Sequence, residues 1–424
     1  MKNSGVEWIG EIPEDWEAIR LKYIYSTTKA KLPKQFYDDK SLTPYLSMDF
    51  IRDSINTEPV YAKDGDYCSE EDILILWDGS NAGEIVFNHP AGYAPSTTAI
   101  LKKLSTQSLP VYDKFYLKSL EDDLRRNTNG MGIPHVNGSY LNNSLFLLPP
   151  KSTQQRIASY LDKKCSKIEE TIQNQQQVIE KLKAYKQSLI TEAVTGKIKI
   201  QNGKVCGKYE SYKDSGVEWI GKIPSEWILS KFKFISKEIG DGLHGTPTFD
   251  ESGDIYFLNG TNIGKEKLFF KDDTDRINSL EYEKYKHPLL SKYTIFIALN
   301  GATYGKTSFY NNEKVLLGKS AGYITFDKKQ NILFLRYYLQ SYAAKKIEEI
   351  SLLGSTIQNL SLYTLNNFSV PLPSEIEQNS IVEYLDKKCS AIDTAIEQKQ
   401  KLIEKLTEYK KSLIYECVTG KRIV

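Results

Sequence analysis

Apolar residues recur at alternating intervals of three and four in two stretches of this chain, and Lys, Glu and Gln fill most positions between them. This is the heptad pattern of amphipathic helices that pack along an apolar seam. Each stretch predicts a helix of about 40 residues, roughly 60 Å long. The matching seam positions are Ile168, Ile172, Ile179, Leu182 and Leu189 in the first stretch, and Ile392, Ile396, Ile403, Leu406 and Leu413 in the second.

The two stretches are copies of each other. Residues 159–197 and 383–421, which lie 224 positions apart, are identical at 24 of 39 positions. Such similarity indicates a duplicated structural unit. Because neither helix would be stable alone in water with its seam exposed, the other copy is the expected partner. We therefore predict a spacer made of two antiparallel coiled-coil helices.

The two seams and their ends carry matching polar residues. Polar residues within the seam are expected to restrict the register of the two helices. A Ser followed three residues later by Gln or Glu fits the start of a helix, and a Gly fits its end. Cys165 and Cys389 occupy one repeat position and are expected to pack in the seam. The polar seam residues are Gln175, Lys186, Lys399 and Lys410, and the start and end residues are Ser152, Gln155, Ser374, Glu377, Gly196 and Gly420.

A second repeat precedes each helix. Residues 4–16 and 215–227 share 10 of 13 positions, and Trp8, Trp16, Trp219 and Trp227 flank an Ile-Pro step in them. Tryptophans this close to a turn are expected to pack the arm against a neighbouring element. The order of segments is 1–150 with the motif and a first globule, 151–197 as the central long helix, 198–213 as a linker, 214–373 with the second motif and globule, and 374–424 as the C-terminal long helix.

The globules align poorly but share an outline of short β-rich runs, a glycine-bounded loop and a helical stretch. The strand-like runs 73–77 and 294–299 precede the loops 78–83 and 300–305, and helices are expected near 114–126 and 333–350. The fold class is therefore α+β, with two mixed α/β globules joined by two long antiparallel helices in an internal pseudo-twofold repeat.

Composition limits the function classes. Lys+Arg 56 against Asp+Glu 54 gives a net charge of +2, so a polyanion would be bound locally or together with a partner. The five cysteines lack metal-site spacing and are too few for a disulfide scaffold. No run approaches 18 apolar residues and the N-terminal residues lack a signal-peptide core, so we expect a cytoplasmic protein without membrane contact.

Three enzyme motifs are incomplete or misplaced in this chain. The 294–308 stretch ends in a glycine loop with lysine, but Gly301 and Gly305 are separated by three residues where a phosphate-binding loop needs four. The LPP step near 148–150 lacks the acidic or amide residue and the aromatic residue of an amino-methyltransferase motif. The Glu-x-Lys of a restriction nuclease occurs only at 397–399, inside the long helix.

The loops suit nucleic-acid recognition better. In IGDGLHGTPTF (239–249), Gly and Pro frame polar groups that could meet base edges or phosphates, although a simple surface turn is also open. Loops in both halves supply further hydrogen-bonding or stacking groups. The candidate DNA-binding residues are Asp241, His244, Thr246, Thr248, Asn259, Asn262, Asn300, Thr303, Tyr304 and Lys306 in the second half, and Trp77, Ser80, Asn81, His135 and Asn137 in the first; no catalytic or metal-ligating residue is predicted.

The motif SGVEWIGEIP-x-x-W, the long helix with YLDKKC near its start and VTGK at its end, and the half-repeat arrangement resemble the DNA-specificity subunit of type I restriction-modification systems. The resemblance covers the whole chain. DGLHGTP in the second half is similar to a loop of the family's target recognition domains. The first half reads TTKAKLPKQFYDDK there, so the loop cannot be transferred to it.

The resemblance implies a non-catalytic subunit that binds double-stranded DNA. Each variable domain would read one half of a bipartite asymmetric target, and the helices would set the spacer and recruit two methyltransferase subunits. No cofactor is expected in this chain; S-adenosylmethionine is expected on the methyltransferase subunits, and ATP and Mg on restriction subunits where these join. The alternative is a coiled-coil scaffold that does not bind DNA and carries two protein-binding globules.

Overall fold

The computed structural model describes residues 1–6, 9–52, 56–130, 132–264, 267–351 and 359–424. Trp8, one of the tryptophans expected to dock, lies outside these ranges. The chain divides into two compact units, here called unit 1 (residues 1–175 and 400–424) and unit 2 (residues 176–399). Each unit therefore contains part of both long helices.

Unit 1 is a mixed α/β globule. Its elements before the first long helix are β1 (Lys2–Asn3), β2 (Glu11–Ile12), β3 (Glu17–Arg20), β4 (Tyr25–Lys29), β5 (Phe36–Tyr37), β6 (Thr43–Tyr45), α1 (Met48–Arg52), β7 (Val60–Ala62), β8 (Tyr67–Cys68), β9 (Ile73–Leu76), β10 (Ile85–Val86), β11 (Gly92–Tyr93), β12 (Thr98–Lys103), α2 (Pro110–Arg126), α3 (Gly138–Asn143) and β13 (Leu145–Leu148).

The two long helices are shared between the units, and the other elements of unit 2 lie between them. In chain order the elements are α4 (Lys151–Val194), β14 (Lys199–Gln201), β15 (Lys204–Gly207), β16 (Tyr212–Asp214), β17 (Lys222–Pro224), β18 (Ile228–Lys231), α5 (Phe232–Ile235), β19 (Ser236–Gly240), β20 (Ile255–Leu258), β21 (Arg276–Ile277), α6 (Ser279–Tyr282), β22 (Thr294–Ala298), β23 (Thr307–Phe309), β24 (Val315–Leu317), β25 (Ala321–Phe326), α7 (Ile332–Gln340), α8 (Tyr342–Ser351), α9 (Leu362–Asn366), β26 (Ser369–Leu372) and α10 (Glu375–Val418).

The two globules have the same main sheet. Its strand order is β10-β9-β12-β4 in unit 1 and β23-β22-β25-β19 in unit 2, with every neighbouring pair antiparallel. Each unit also has a smaller sheet with one parallel pair, β6 with β11 or β20 with β24. The predicted α+β class and the internal repeat are confirmed, although the sequences of the two globules align poorly.

The long helices form the antiparallel pair that the heptads predict. Each has 44 residues, or about 66 Å at 1.5 Å per residue. Within unit 1, Lys410 Nζ lies 2.7 Å from Glu169 Oε1, and within unit 2, Lys186 Nζ lies 2.6 Å from Asp393 Oδ2. The residue numbers of both pairs add up to 579, so one antiparallel register holds in both units.

Two of the polar seam residues, Lys186 and Lys410, occupy the same repeat position and make equivalent ion pairs, and their effect on register stays a prediction. The seam itself is apolar: Ile168 and Leu413 are buried in the core of unit 1, and Leu189 and Ile392 in that of unit 2. Cys165 and Cys389 are also buried in these cores, and burial raises the pKa of the Cys389 thiol to about 11. Both cysteines are packing residues.

The predicted helix ends are confirmed, but one predicted start is wrong. Gly196 and Gly420 adopt φ of 71° and 74°, as left-handed helix caps require. Ser374 Oγ accepts from Glu377 N at 3.4 Å. Ser152 does not cap α4, because the helix already begins at Lys151 and Pro150 O accepts from the backbone of its first turn.

The repeated motif packs against the helix ends inside each unit. Trp16 and Trp227 are buried, as predicted. A Cβ on Gly420 would lie 2.4 Å from Pro13 Cδ, and one on Gly196 would lie 2.3 Å from Pro224 Cδ. Only glycine permits this approach, so the end of α10 closes on the N-terminal motif and the end of α4 on the second motif.

Two local predictions are corrected. The helix expected over 333–350 is broken at Ser341, whose Oγ accepts from Ala344 N and starts a new helix. The segment 198–213 joins the halves but is folded: β14 and β15 form a hairpin around Asn202 and Gly203, both at positive φ. Asn-Gly is the preferred sequence of such a two-residue turn, and this signal was missed.

Candidate nucleic-acid interface

In each main sheet a glycine loop follows one strand: residues 77–84 follow β9 in unit 1, and residues 299–306 follow β22 in unit 2. Gly79 and Gly301 have φ of 101° and 78°, a region that favours glycine. The loops close on their own strands through Gly83 N to Leu76 O at 2.8 Å and through Gly305 N to Ala298 O at 2.9 Å. The second loop leads into strand β23 and not into a helix, so it lacks the phosphate-binding helix of a P-loop.

Two further backbone bonds hold the loops in the same way. Trp77 N donates to Thr97 O at 2.7 Å, and Leu299 N donates to Ser320 O at 3.0 Å. In each unit, a segment later in the chain pairs with the glycine loop. It forms an isolated β-bridge between Asp78 and His135 in unit 1, and between Asn300 and Asn359 in unit 2.

In unit 2 these segments line a cleft of about 410 Å³. His244 Nε2 lies 2.8 Å from Asp241 Oδ2, and the ring is largely exposed. The cleft brings together two of the predicted loops, because Asn300 lines it with Asp241 and His244. Its remaining polar residues, Lys319, Asn359 and Ser361, were not predicted.

A second cleft of about 470 Å³ is also lined by the 241–244 loop. Asp241 and His244 line this cleft too, together with Tyr285, Lys286 and His287. The 241–244 loop therefore borders both clefts and carries an exposed imidazole; together with residues 245–248 it is called the ridge below. A ridge that carries donors and acceptors on both flanks can enter a groove of DNA and contact base edges or phosphates.

The same loop continues through two predicted residues, Thr246 and Thr248, which are exposed. Thr248 N donates to Glu281 Oε1 at 3.0 Å, and Tyr285 Oη donates to the same oxygen at 2.7 Å. Lys284 also binds the carboxylate. Together these donors lower the pKa of Glu281 to about 2, so the residue anchors the loop as an anion.

Other predicted residues of unit 2 have their side chains engaged inside the protein. Asn262 Oδ1 accepts from Asn259 N at 2.8 Å, and Thr303 Oγ1 donates to Gly260 O at 2.7 Å. Tyr304 packs against the core, whereas Lys306 is exposed. Asn259, Asn262 and Thr303 therefore shape the loops, and their contact with DNA stays a prediction.

In unit 1 the corresponding position holds a charged cluster. Lys29 Nζ lies 2.8 Å from Asp78 Oδ2, and His135 Nδ1 lies 2.6 Å from Asp78 Oδ1. Burial opposes ionisation of the carboxyl, but the bonds from Lys29 and His135 prevail and lower the pKa of Asp78. His135 was predicted from the sequence, whereas Asp78 and Lys29 were missed.

The other predicted residues of unit 1 lie around this cluster. Ser80 and Asn81 are exposed on the glycine loop. Trp77 is partly buried against the core, and Asn137 Oδ1 caps α3 by accepting from Tyr140 N at 3.0 Å. Aligning LWDGSNAG with ALNGATYG would have placed Asp78 opposite Asn300. No sequence signal of comparable strength was available for Lys29 or Asn359, because their segments do not align.

Among the residues that the structure describes, no three or more His, Cys, Asp or Glu side chains are grouped as a metal site would require. No helix in the described ranges is long and apolar enough to cross a membrane.

The antiparallel main sheet thus occurs twice, and each copy carries a different set of polar side chains beside its glycine loop. The family model described as "Type I restriction modification DNA specificity domain" matches residues 13–184 and 238–407. The chain belongs to this family and is a DNA specificity subunit, the class of subunit that is non-catalytic in itself.

Relatives match over nearly the whole chain. It is 31% identical over 420 residues to the type I restriction enzyme MjaVIII specificity subunit of Methanocaldococcus jannaschii, covering 97% of this chain and 93% of that protein. It is 22% identical to the EcoBI specificity subunit of Escherichia coli, covering 96% and 86%. A solved chain from work on complex assembly and conformational transition of the type I system has 14% identity and a TM-score of 0.70, covering 97% and 100%, and shows that the fold is shared.

Proposed function

We propose that this chain directs a type I restriction-modification complex to a split, asymmetric DNA sequence, with unit 1 reading one half and unit 2 the other. The observation that supports this most is the pairing of one loop scaffold with two different sets of side chains. Where unit 1 presents Asp78 and His135, unit 2 presents Asn300 and Asn359. Two copies of one scaffold suit two half-sites, and different side chains suit different bases.

In unit 2 the proposed DNA contacts are the ridge and its surroundings. His244, Thr246 and Thr248 stand on the exposed loop, and Asn300 and Lys306 on the glycine loop. Asn side chains can pair with adenine edges, and Lys with guanine edges or phosphates. In unit 1 the exposed Ser80 and Asn81 are the corresponding loop contacts.

The proposed partners are two methyltransferase subunits, with restriction subunits as further members. Each unit offers the same recruiting elements, an Ile-Pro-x-x-Trp motif packed on a helix end and an antiparallel helix pair. We place S-adenosylmethionine on the methyltransferase subunits, and ATP and Mg on the restriction subunits. The complex would act in the cytoplasm.

The low net charge of the chain is consistent with DNA binding that is shared with the methyltransferase subunits. A net charge of +2 gives little general attraction to DNA, because nonspecific affinity grows with the number of phosphates that a protein neutralises. The methyltransferase subunits would supply the remaining phosphate contacts. Purified alone, the chain should bind DNA weakly and with little salt dependence.

The deciding experiment is a genome-wide map of methylated adenines in cells with and without this gene, with its methyltransferase present. Loss of one split, asymmetric motif on deletion is the expected result, and it would give both half-sites and their gap. Identical maps, followed by failure of the purified complex to bind any specific sequence, would favour a protein-binding scaffold instead.

A further inference from the structure

The glycine loops allow the two recognition sites to be compared residue by residue. In both units the residue two positions after the strand end bridges to the closing segment, Asp78 to His135 and Asn300 to Asn359. The bonds around these pairs match, since Val136 N donates to Trp77 O and Leu360 N donates to Leu299 O, each at 2.8 Å. Asp78 thus occupies the position of Asn300, and His135 that of Asn359.

Sheet register extends this correspondence to the neighbouring strand. Thr28 pairs with Ile100 in unit 1, and Gly240 pairs with Tyr323 in unit 2. Ile100 and Tyr323 are themselves equivalent, because they pair with corresponding residues of β9 and β22. The next residues along, Lys29 and Asp241, therefore share one position, and the charge there is reversed between the units.

The unit 1 cluster is open to a ligand. The side chain of Asp78 is 21% exposed, and those of Lys29 and His135 are each 48% exposed. Each carboxylate oxygen of Asp78 has one bond from these partners, so each keeps capacity to accept another. Lys29 also offsets the negative charge that would otherwise repel the phosphates of DNA.

We propose that Asp78, held between Lys29 and His135, accepts a hydrogen bond from an exocyclic amino group of a base in the first half-site. This rests on the function proposed above. In the major groove such amino groups belong to cytosine and adenine, and a carboxylate accepts from them without being able to donate. Asn300 at the same position of unit 2 offers both a donor and an acceptor, so the two half-sites diverge at this point.

The test uses the full chain assembled with its methyltransferase subunits and DNA libraries randomised in one half-site at a time. Asp78→Asn keeps a single oxygen, which can accept from either Lys29 or His135, and replaces the other acceptor by an NH2 donor. It should change base preference at one position of the first half-site by roughly tenfold or more, leaving the second half-site and the gap unchanged. The preferred wild-type base identifies cytosine or adenine as the source of the amino group.

Two matched variants complete the design. Asn300→Asp, the reciprocal change, should alter one position of the second half-site only. Asp122→Asn is the control. It removes another exposed carboxylate of unit 1, on helix α2, which pairs with Lys411 of α10 at 3.1 Å, and it should leave both half-sites unchanged.

The possible failures are distinguishable. If the wild-type complex selects no sequence, the proposed function fails, and this inference fails with it. If the wild type selects a split motif that Asp78→Asn leaves intact, only this inference is wrong. If Asp78→Asn weakens all DNA equally or prevents assembly, the Lys29–Asp78–His135 cluster is structural and the inference is also wrong.

Discussion

Unit 1 and unit 2 hold their glycine loops with matching backbone bonds yet place opposite charges beside them, Lys29 in one and Asp241 in the other. In unit 1 the lysine binds Asp78 on the loop, whereas in unit 2 the aspartate binds His244 on its own segment. Backbone bonds do not depend on the side chain, so residues on this frame can be replaced without refolding it. The frame is therefore suited to changing specificity in one half at a time.

The segments next to these charges are also anchored differently. In unit 2, Glu281 of helix α6 accepts from Thr248 N at 3.0 Å. In unit 1, Asp66 accepts from Lys31 N at 2.7 Å and Asp64 accepts from Lys34 N at 3.1 Å. A carboxylate pins the segment in both cases, but it comes from a different element, which is why the variable sequences show no common pattern here.

The largest effect is expected where the two units are most alike, at the glycines that end α4 and α10. Gly420→Ala should lower the free energy of unfolding by roughly 2–4 kcal/mol, because it adds a clash with Pro13 to the strain of a positive φ. Gly196→Ala should do the same through Pro224. Thermal unfolding measures both variants.

Gly10→Ala is the matched control, since its φ is 69° but no atom lies within 4 Å of the added Cβ. It should cost only the backbone strain, about 1–2 kcal/mol. Equal losses for Gly10→Ala and Gly420→Ala would contradict the close packing of the motif on the helix end.

A matched deletion of seven residues from each helix, 173–179 from α4 and 400–406 from α10, should change the gap between half-sites. It keeps the heptad phase and both ion pairs, because their register is common to the two units. Each helix loses about 10 Å, so the methylated motif should show a gap shortened by about 3 base pairs with both halves intact.

Deleting residues 173–179 from α4 alone is the control for register. It must displace one of the two ion pairs and should destabilise the chain. An unaltered gap in the motif of the matched deletion would show that the helices do not set the spacing.

Replacing His244 and Thr246 together by Ala should alter the second half-site only. Their side chains are exposed on the ridge, so their loss removes the proposed base contacts without disturbing the core. Discrimination in the second half-site should fall by roughly tenfold or more, measured by selection from randomised DNA. Loss of assembly with the methyltransferase subunits would instead give the ridge a structural role.

Glu281→Gln should loosen the ridge of unit 2 in a pH-dependent way. The folded-state pKa is lowered to about 2 from 4.5, so the carboxylate stabilises the fold fully above about pH 4.5 and loses this effect as pH falls toward 2. The difference in Tm between wild type and Glu281→Gln should be largest near pH 7 and shrink below pH 4.5. A difference that is constant over this range would exclude the charged anchor.

The smallest effect is expected at the equivalent ion pairs of the helices. Lys410→Glu should cost under about 1 kcal/mol, because Glu169 is 59% exposed and solvent screens the pair. The double variant Glu169→Lys with Lys410→Glu should recover most of the loss, and Lys186 with Asp393 should behave alike. If the double variant recovers nothing, the pair does not contribute to register.

Several features followed from the sequence because they depend on local pattern. The heptads predicted both helices and their mutual packing, since a regular apolar seam can be buried in few ways. Gly196 and Gly420 were recognised as helix ends because a positive φ favours glycine. The Ser341 break was missed because a serine within a good helical pattern gives no clear stop signal.

The polar clusters beside the glycine loops were only partly predictable. The sequence singled out His135, His244 and Asn300 as polar residues in glycine-framed loops. Lys29, Asp78 and His135 are far apart in the chain. The pairing of β4 and of β9 with β12 brings Lys29 and Asp78 together, and the isolated bridge to Asp78 adds His135. Strand register is set by long-range packing of the whole sheet, so the tertiary structure alone decided which charges meet.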